Sequence, residues 1–221
     1  MIIDERMVTY INSLDTGHTP FLENLERTAK QTKVPVIRRE MQSFLKVFLK
    51  MKQPKRILEV GTAVGFSAVF MAQYGEPDAE ITTIENYEKR IPIARENFKK
   101  SGFADRITLI PGDAAEVLKT LDGPYDFIFM DAAKGQYIHF LPEVLRVLDK
   151  NGVLITDNVL QDGDVIESRF AVERRNRTIH KRMREYLFEL THNEGLLTSV
   201  VPLGDGIAIT MKSHEKREET T

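Results

Sequence analysis

The chain contains neither cysteine nor tryptophan. The absence of cysteine excludes disulfide bonds, thiolate nucleophiles, cysteine-ligated zinc and iron–sulfur clusters. No eighteen apolar residues run together, and charged residues already occupy positions 4–6. The sequence therefore favours neither a membrane span nor a signal peptide, and we expect a cytoplasmic protein with no membrane partner.

An excess of charge of one sign is also missing. The 221 residues include 31 Lys and Arg against 33 Asp and Glu, which gives a formal net charge of −2. Because the totals are so even, only a local cluster of charge can identify a surface for a polyanion. With hydrophobic residues at 42%, the chain is long enough to bury one sizeable core without covalent cross-links.

Seven apolar, β-rich segments alternate with segments of helical spacing over most of the chain. This alternation predicts an α/β fold with a Rossmann-like, doubly wound, seven-stranded sheet that is mostly parallel. Only residues 202–206 separate the last two strands, so these should form an antiparallel edge hairpin. We expect a single domain over residues 1–221, with an N-terminal helical cover (1–52), an α/β core (53–212) and a frayed tail (213–221).

A glycine turn follows the first predicted strand, in the segment Glu59-Val60-Gly61-Thr62-Ala63-Val64-Gly65-Phe66-Ser67. Such turns bring main-chain N–H groups close to a ligand. A dinucleotide fingerprint needs glycine where this chain has Ala63 and Phe66, so a nicotinamide cofactor is disfavoured. Glu59 suits the ammonium group of a cofactor with an amino-acid end, although an ordinary strand-to-helix turn stays an alternative.

Two more acidic residues follow the second and third predicted strands, at the edge where open α/β sheets bind ligands. Glu85 occupies the position from which a carboxylate accepts both hydroxyls of a ribose. Asp113 could accept a hydrogen bond from an adenine amino group, although Asp before a helix is also a favoured N-cap. Sites for ammonium, ribose and adenine, in this order along one edge, indicate S-adenosylmethionine.

The fourth and fifth predicted strands end in Asp131 and in Asp157-Asn158. Two carboxylates and an amide oxygen at one sheet edge would suit a hard cation, and Mg²⁺ fits best, although each Asp alone could be a turn or helix cap. Such a cation, bound to two vicinal oxygens, would acidify a hydroxyl and orient it. Lys134 is the candidate general base, because nearby positive charges favour its neutral amine; an exposed loop lysine is the alternative.

With these motifs the chain resembles the class I S-adenosylmethionine-dependent, cation-dependent O-methyltransferases of the catechol and caffeoyl-coenzyme A type. The glycine segment 59–67, the segment Phe129-Met130-Asp131-Ala132-Ala133-Lys134-Gly135-Gln136-Tyr137 and Asp157-Asn158 match that family's motifs in order and spacing. The similarity spans residues 34–212. The resemblance also implies a homodimer.

The resemblance assigns roles to individual residues. It implies that Asp131, Asp157 and Asn158 bind Mg²⁺ and that Lys134 is the catalytic base. The residues that it implies in cofactor binding are Ile37, Glu59, Gly61, Thr62, Ser67, Glu85, Asp113, Ala114 and Asp131.

A basic cluster at residues 169–184 is the clearest local asymmetry of charge, with seven Lys or Arg against one acid, Glu173. Helical spacing predicts a helix here with a docked apolar face and an opposite, basic face that holds Arg174, Arg177, Lys181 and Arg184. Phosphate contact would give such a face affinity without sequence readout, while a solvated helix face is the alternative. The candidate RNA-binding residues are Arg174, Arg175, Arg177, Lys181 and Arg184.

A bacterial branch of the family methylates 5-hydroxyuridine at the wobble position of tRNA, and this chain resembles it. The shared features are the compact length, the segment Asp157-Asn158-Val159-Leu160 and the arginine-rich helix that follows; the plant members' tryptophan-containing loop is replaced by residues 159–164. The C5 hydroxyl and C4 carbonyl of 5-hydroxyuridine are adjacent oxygens, and an anticodon loop presents unstacked bases. We expect a tRNA anticodon stem-loop as partner and 5-methoxyuridine as product.

Two other functions compete with this one. The first is methylation of a small catechol or a caffeoyl-CoA-like acceptor, which would use the same site and leave the basic helix solvated. The second is an RNA-binding module without catalysis, which predicts the loss of Lys134 or of a metal ligand. All of these residues are present, so the sequence favours an enzyme.

Overall fold

The structure is a computed structural model that describes residues 4–213; residues 214–221 of the predicted tail lie outside it. The helices are α1 (Glu5–Ser13), α2 (Pro20–Gln31), α3 (Arg39–Lys52), α4 (Phe66–Tyr74), α5 (Ile91–Ser101), α6 (Ala114–Thr120), α7 (Tyr137–Val147) and α8 (Arg177–His192). The strands are β1 (Arg56–Val60), β2 (Glu80–Glu85), β3 (Ile107–Pro111), β4 (Tyr125–Met130), β5 (Leu148–Thr156), β6 (Leu196–Val201) and β7 (Ile207–Lys212). Short 3-10 turns occupy Lys134–Gln136, Gln161–Ile166 and Arg174–Asn176.

The seven strands form one sheet in the order β3-β2-β1-β4-β5-β7-β6. The first five strands pair in parallel, and β7 pairs antiparallel with both β5 and β6. The predicted fold class is therefore confirmed, including the antiparallel edge hairpin. The order of the strands reverses between β1 and β4, and the crevice at such a reversal is where open α/β sheets bind ligands.

Apolar side chains cover the sheet on both faces. Because side chains alternate along a strand, Phe127 and Phe129 of β4 pack with the layer that includes α2, α3 and α4. Ile128 and Met130 pack with the opposite layer, which includes α7 and α8. Between residues 4 and 213, no helix is both long enough and apolar enough to cross a membrane.

The basic helix starts later than its sequence predicts. α8 begins at Arg177, while Arg174 and Arg175 lie in a preceding 3-10 turn, so placing Arg174 on a face of this helix was wrong. Residues 174–176 have the tighter 3-10 geometry, and Glu173 before them is not helical, with φ −51° and ψ 136°. The docked apolar face of α8 is as expected, with Met183, Tyr186 and Leu190 buried.

Gly61 provides a test of how tightly β1 and β4 approach each other at their carboxyl ends. Its φ is +106°, and a Cβ added to it would lie 2.1 Å from the main-chain oxygen of Asp131. We expect Gly61→Ala to lower the free energy of unfolding, measured in urea, by about 3 kcal/mol or more, because steric overlap adds to backbone strain.

Gly102→Ala is the matched control, since Gly102 has φ +79° with no described heavy atom within 4 Å of the added Cβ. Its free energy of unfolding should fall by only about 1–2 kcal/mol, which is what a left-handed backbone conformation costs an alanine. Equal losses in the two variants would contradict the close approach of Gly61 to Asp131.

Candidate functional site

A cavity of about 740 Å³ opens at the carboxyl ends of the parallel strands, beside the reversal between β1 and β4. Its volume lies in the range of cofactor and substrate pockets. The structure brings most of the predicted cofactor, metal and base residues together in its wall. These are Ile37, Gly61, Thr62, Ser67, Glu85, Asp113, Ala114, Asp131, Lys134, Asp157 and Asn158.

Glu59 is fully buried on β1, just before the glycine turn. Its Oε2 accepts a hydrogen bond from the Thr83 hydroxyl, whereas Oε1 has no hydrogen-bond partner within residues 4–213. Burial raises the pKa of Glu59 to about 7, although the hydroxyls of Ser67 and Thr83 lower it in part. A buried oxygen without a donor costs free energy, so this carboxyl fits a ligand that brings an ammonium group.

The glycine turn uses its first N–H groups within the protein. The N–H groups of Gly61 and Thr62 both donate to the carbonyl oxygen of Ile84, at 3.1 Å each. This differs from the expectation that such N–H groups face a ligand. The glycine instead allows the turn to pass close to the main chain of Asp131, because Gly61 has no side chain that would overlap with it.

Two acidic side chains lie along the cavity wall, each fixed by main-chain donors. Glu85 accepts hydrogen bonds from the N–H groups of Ala63 (2.7 Å) and Tyr87 (2.8 Å), one on each carboxylate oxygen. Each oxygen keeps a further lone pair, so the carboxylate still suits two ribose hydroxyls. Asp113 caps α6 by accepting from the N–H of Ala115 at 2.8 Å, and it also lines the cavity. The cap and the ligand contact are therefore compatible.

Sequence reasoning missed the hydrogen bonds that hold the Ile37 part of the wall. Gln42 donates from Nε2 to the carbonyl oxygen of Ile37 at 2.8 Å, and its Oε1 lies 2.7 Å from Nε2 of His18. Nδ1 of His18 lies 3.0 Å from the Tyr74 hydroxyl. These contacts connect α4 to the cavity wall through a buried histidine. A single histidine in a turn gives no signal in the sequence that such a contact exists.

Asp131, Asp157 and Asn158 meet at the ends of β4 and β5. The Asn158 N–H donates to Oδ1 of Asp157 at 2.7 Å, and its side-chain nitrogen lies 3.5 Å from Oδ1 of Asp131. Burial raises the pKa of both carboxyls, the charge of Asp131 raises that of Asp157 further, and Lys134 lowers both. A cation would relieve this repulsion.

The donor set fits a hard cation. Two carboxylates and an amide oxygen are ligands that Mg²⁺ accepts, with water or substrate oxygens completing the shell. In the described part of the chain, no three His, Asp or Glu side chains converge as a metal site. A cation would therefore depend on Asn158 and on oxygens from outside the protein.

Lys134 is held by Asp205, which the sequence analysis did not select. Nζ of Lys134 donates to Oδ2 of Asp205 at 3.0 Å, and Asp205 is only 2% exposed. Oδ1 of Asp205 accepts from the N–H of Asp162, in the loop after β5. In the sequence, Asp205 and Gly206 only connect two predicted strands. The pairing of β7 with β5 brings Asp205 to the site, and the sequence does not reveal that pairing.

The basic cluster lies beside the turn that carries Lys134, because Arg182 of α8 donates to the carbonyl oxygen of Gly135 at 3.0 Å. Two of the predicted RNA-binding residues bind main-chain oxygens: Arg177 donates to Val172 at 3.2 Å, and Arg184 to Val165 at 2.9 Å.

Arg184 is nevertheless exposed, and so are the other three predicted RNA-binding residues, Arg174, Arg175 and Lys181. Arg175 pairs with Glu173 at 2.7 Å, and Lys181 pairs with Glu185 at 3.5 Å. Arg174 is exposed in the turn before α8. Arg174, Arg175 and Lys181 are therefore the residues best placed to contact a polyanion.

Comparison with known proteins agrees with this site. A family model described as O-methyltransferase matches residues 12–213. A catechol O-methyltransferase from Mycobacterium tuberculosis is 30% identical over 160 residues, which cover 71% of this chain and 73% of that protein. Caffeoyl-CoA O-methyltransferase 1 from Eucalyptus globulus is 29% identical over 86% of this chain and 80% of its own length.

A solved structure agrees as well. The crystal structure of a Podospora anserina methyltransferase bound to SAH has a TM-score of 0.86 and 28% identity, with 95% of this chain and 94% of that chain covered. The predicted resemblance to O-methyltransferases of the catechol and caffeoyl-CoA type is confirmed, and so is the predicted enzyme class, whereas the resemblance to the tRNA-methylating branch stays a prediction. The chain belongs to the O-methyltransferase family.

Proposed function

We propose that this protein is a Mg²⁺-dependent O-methyltransferase that moves the methyl group of S-adenosylmethionine to the 5-hydroxyl of 5-hydroxyuridine at the tRNA wobble position, giving 5-methoxyuridine. One observation carries the choice of substrate. The basic start of α8 packs against the Lys134 turn through the hydrogen bond between Arg182 and Gly135, so a surface for phosphates adjoins the pocket.

The cavity wall supports S-adenosylmethionine as the methyl donor. Glu59 would hold the ammonium group, Glu85 the ribose hydroxyls and Asp113 the adenine amino group. The unsatisfied, buried oxygen of Glu59 is the strongest support, because it needs a donor that residues 4–213 do not supply. When bound, the cofactor supplies a methyl group on a positively charged sulfur. The SAH-bound relative from Podospora anserina is consistent with this assignment.

The remaining residues support proton removal and alignment. Asp131, Asp157 and Asn158 would hold Mg²⁺, which when bound acidifies and orients a pair of vicinal oxygens. Lys134 accepts the hydroxyl proton on Nζ, and Asp205, 3.0 Å away, orients Nζ and stabilises the ammonium that forms. The deprotonated acceptor oxygen would be the nucleophile in methyl transfer, and the bound cofactor would supply the methyl group and leave as a neutral thioether. Opposite charges disappear in this step, so a pocket that excludes water favours it.

A small catechol is the second candidate acceptor. The Mycobacterium tuberculosis relative is named for that activity, and two vicinal oxygens would use the same residues. In that case the basic residues before and in α8 would be solvated.

The homodimer also stays part of the proposal, and sedimentation of the purified protein tests it.

Glu59 gives a prediction about pH. Its pKa rises from 4.5 to about 7 on folding, so the folded state binds the proton more tightly. Stability should therefore fall as pH rises from 4.5 to 7 and stay level above that, by about 3 kcal/mol in the protein without cofactor. Burial also raises the pKa of Asp131 and Asp157, which add to the same slope, so Glu59→Gln should reduce the slope by about this amount without abolishing it. The variant should also raise the melting temperature at pH 8 and weaken S-adenosylmethionine binding in calorimetry.

Glu80→Gln, at the exposed start of β2, is the control and should behave as the unaltered protein. An unchanged pH slope in Glu59→Gln would contradict a carboxyl that is buried at a free-energy cost.

Asp131 gives a prediction about the metal. Transfer of labelled methyl to tRNA that contains 5-hydroxyuridine, and in parallel to a simple catechol, should require Mg²⁺ and stop with EDTA. Asp131→Ala should lower turnover by about a hundredfold or more on any acceptor and remove the effect of Mg²⁺ on acceptor binding. Asp122→Ala, at an exposed site before β4, is the control. Full activity of Asp131→Ala, or activity in EDTA, would remove the metal from the mechanism; labelling of catechol alone would refute the tRNA substrate.

The exposed basic residues give a prediction about salt. Replacing Arg174, Arg175 and Lys181 with Ala should weaken tRNA methylation and lower the slope of log affinity against log salt by about 2 to 3, or about one per lost phosphate contact. Methylation of a catechol should be unchanged. Equal losses on both acceptors would mean that these residues support the fold or the pocket and not the RNA.

A further inference from the structure

The loop between Asn158 and α8 presents two large apolar side chains to solvent. We infer that Phe170, with Ile166 beside it in the loop, is the surface on which an unpaired base of the RNA stem-loop stacks. This inference rests on the proposed function and names a contact that the basic residues alone do not provide.

The exposure of these side chains is large. Phe170 is 86% exposed and Ile166 is 78% exposed, in the segment that begins with the 3-10 turn Gln161–Ile166 and leads to α8. Single exposed apolar side chains are common on protein surfaces, so the partner has to be argued from the hydrogen bonds and charges around this ring.

The main chain of this loop is fixed while its apolar side chains point outward. Arg177 donates to the carbonyl oxygen of Phe170 at 3.4 Å, and Arg184 donates to that of Val165 at 2.9 Å. Between them, Nε2 of His180 lies 3.1 Å from the carbonyl oxygen of Glu167. Three side chains of α8 thus hold the main chain on both sides of the exposed pair. A surface that is ordered before binding loses less entropy when it binds.

The charges around the exposed pair select the partner. Arg169 precedes Phe170 directly, and Arg174, Arg175 and Lys181 are exposed further along the chain, so the exposed cations outnumber the exposed acids Glu167 and Glu173 of this segment. Single-stranded nucleic acid binds where aromatic rings stack with bases and cations contact phosphates. A second copy of this chain would bring the same cations and repel them, so an unpaired nucleotide is the better occupant.

The position of the loop fits a nucleotide close to the target base. The N-terminal half of α8 carries both the arginine that binds the Phe170 carbonyl and the arginine that binds Gly135 in the Lys134 turn. The stacking surface and the pocket are therefore attached to the same helix segment. A base next to the target is unstacked when the target enters the pocket, and this is the base that we expect to stack on the ring of Phe170.

Phe170→Ala tests the inference. Its KM for an anticodon stem-loop RNA with 5-hydroxyuridine should rise about 5- to 150-fold, the range expected for one lost base stack. The kcat on the RNA and the methylation of a catechol should stay close to the unaltered values. Phe188→Ala is the matched control, because Phe188 is also an exposed ring (61%) but lies further along α8.

Phe170→Trp makes the contact visible, because the chain has no tryptophan of its own. The introduced fluorophore should be quenched by the stem-loop RNA, while a fully paired RNA of the same length should quench it far less. This variant should also keep a KM close to that of the unaltered protein.

The outcomes separate the inference from the proposed function. If the unaltered protein does not methylate the RNA, the proposed function fails and the inference fails with it. If the RNA is methylated but Phe170→Ala keeps the original KM, or the tryptophan is not quenched, only the stacking surface is refuted. If sedimentation shows that Phe170→Ala separates a dimer, the surface joins two copies of the chain and the inference is wrong.

Discussion

The close passage of β1 and β4 at their carboxyl ends is the constraint on which the rest of the site depends. The main-chain oxygen of Asp131 occupies the place where a side chain on Gly61 would be, and the N–H of Asp131 donates to Val60 at 3.1 Å. Glu59 and Asp131 are thereby brought to neighbouring strand ends, although they belong to different motifs. The cofactor side and the metal side of the cavity therefore share one boundary, and a change there affects both.

The buried carboxyl groups of the cavity favour positively charged ligands. Burial raises the pKa of Glu59, Asp131 and Asp157, so the pocket carries carboxyl groups whose charge the protein alone solvates poorly. The free energy that this costs is recovered when cations occupy the pocket. An ammonium, a sulfonium and Mg²⁺ are such cations, which explains how one acidic cavity can suit the reaction partners proposed for it. Asp205 differs, because Lys134 and a main-chain N–H already satisfy it.

Much of the fold and of the site follows from local patterns in the sequence. Strand periodicity predicts the sheet, and the acids that end consecutive parallel strands must meet at one edge, so Glu59, Glu85, Asp131 and Asp157 could be grouped without a structure. Asp205 could not, because its place depends on β7 inserting between β5 and β6, and a loop sequence does not encode that pairing.

Contacts between side chains and main chain were the other part that the sequence could not reveal. Helical spacing alone extended α8 to Arg174, since the spacing of residue types does not distinguish a 3-10 turn from the first turn of an α-helix. It also treated Arg177 and Arg184 as free charges, whereas both bind carbonyl oxygens of the preceding loop.

The insertion of β7 between β5 and β6 has a consequence for synthesis of the chain on the ribosome. Residues 1–200 include nearly every group of the cavity, yet the carboxylate that holds Lys134 lies at position 205 and reaches it only when residues 207–212 pair with β5. Until then the edge of β5 is unpaired, and the lysine has no carboxylate partner from this hairpin. The pocket is thus completed only after residues 205–212 have been synthesised, and a nascent chain that stops before this strand holds the cofactor residues without an oriented base.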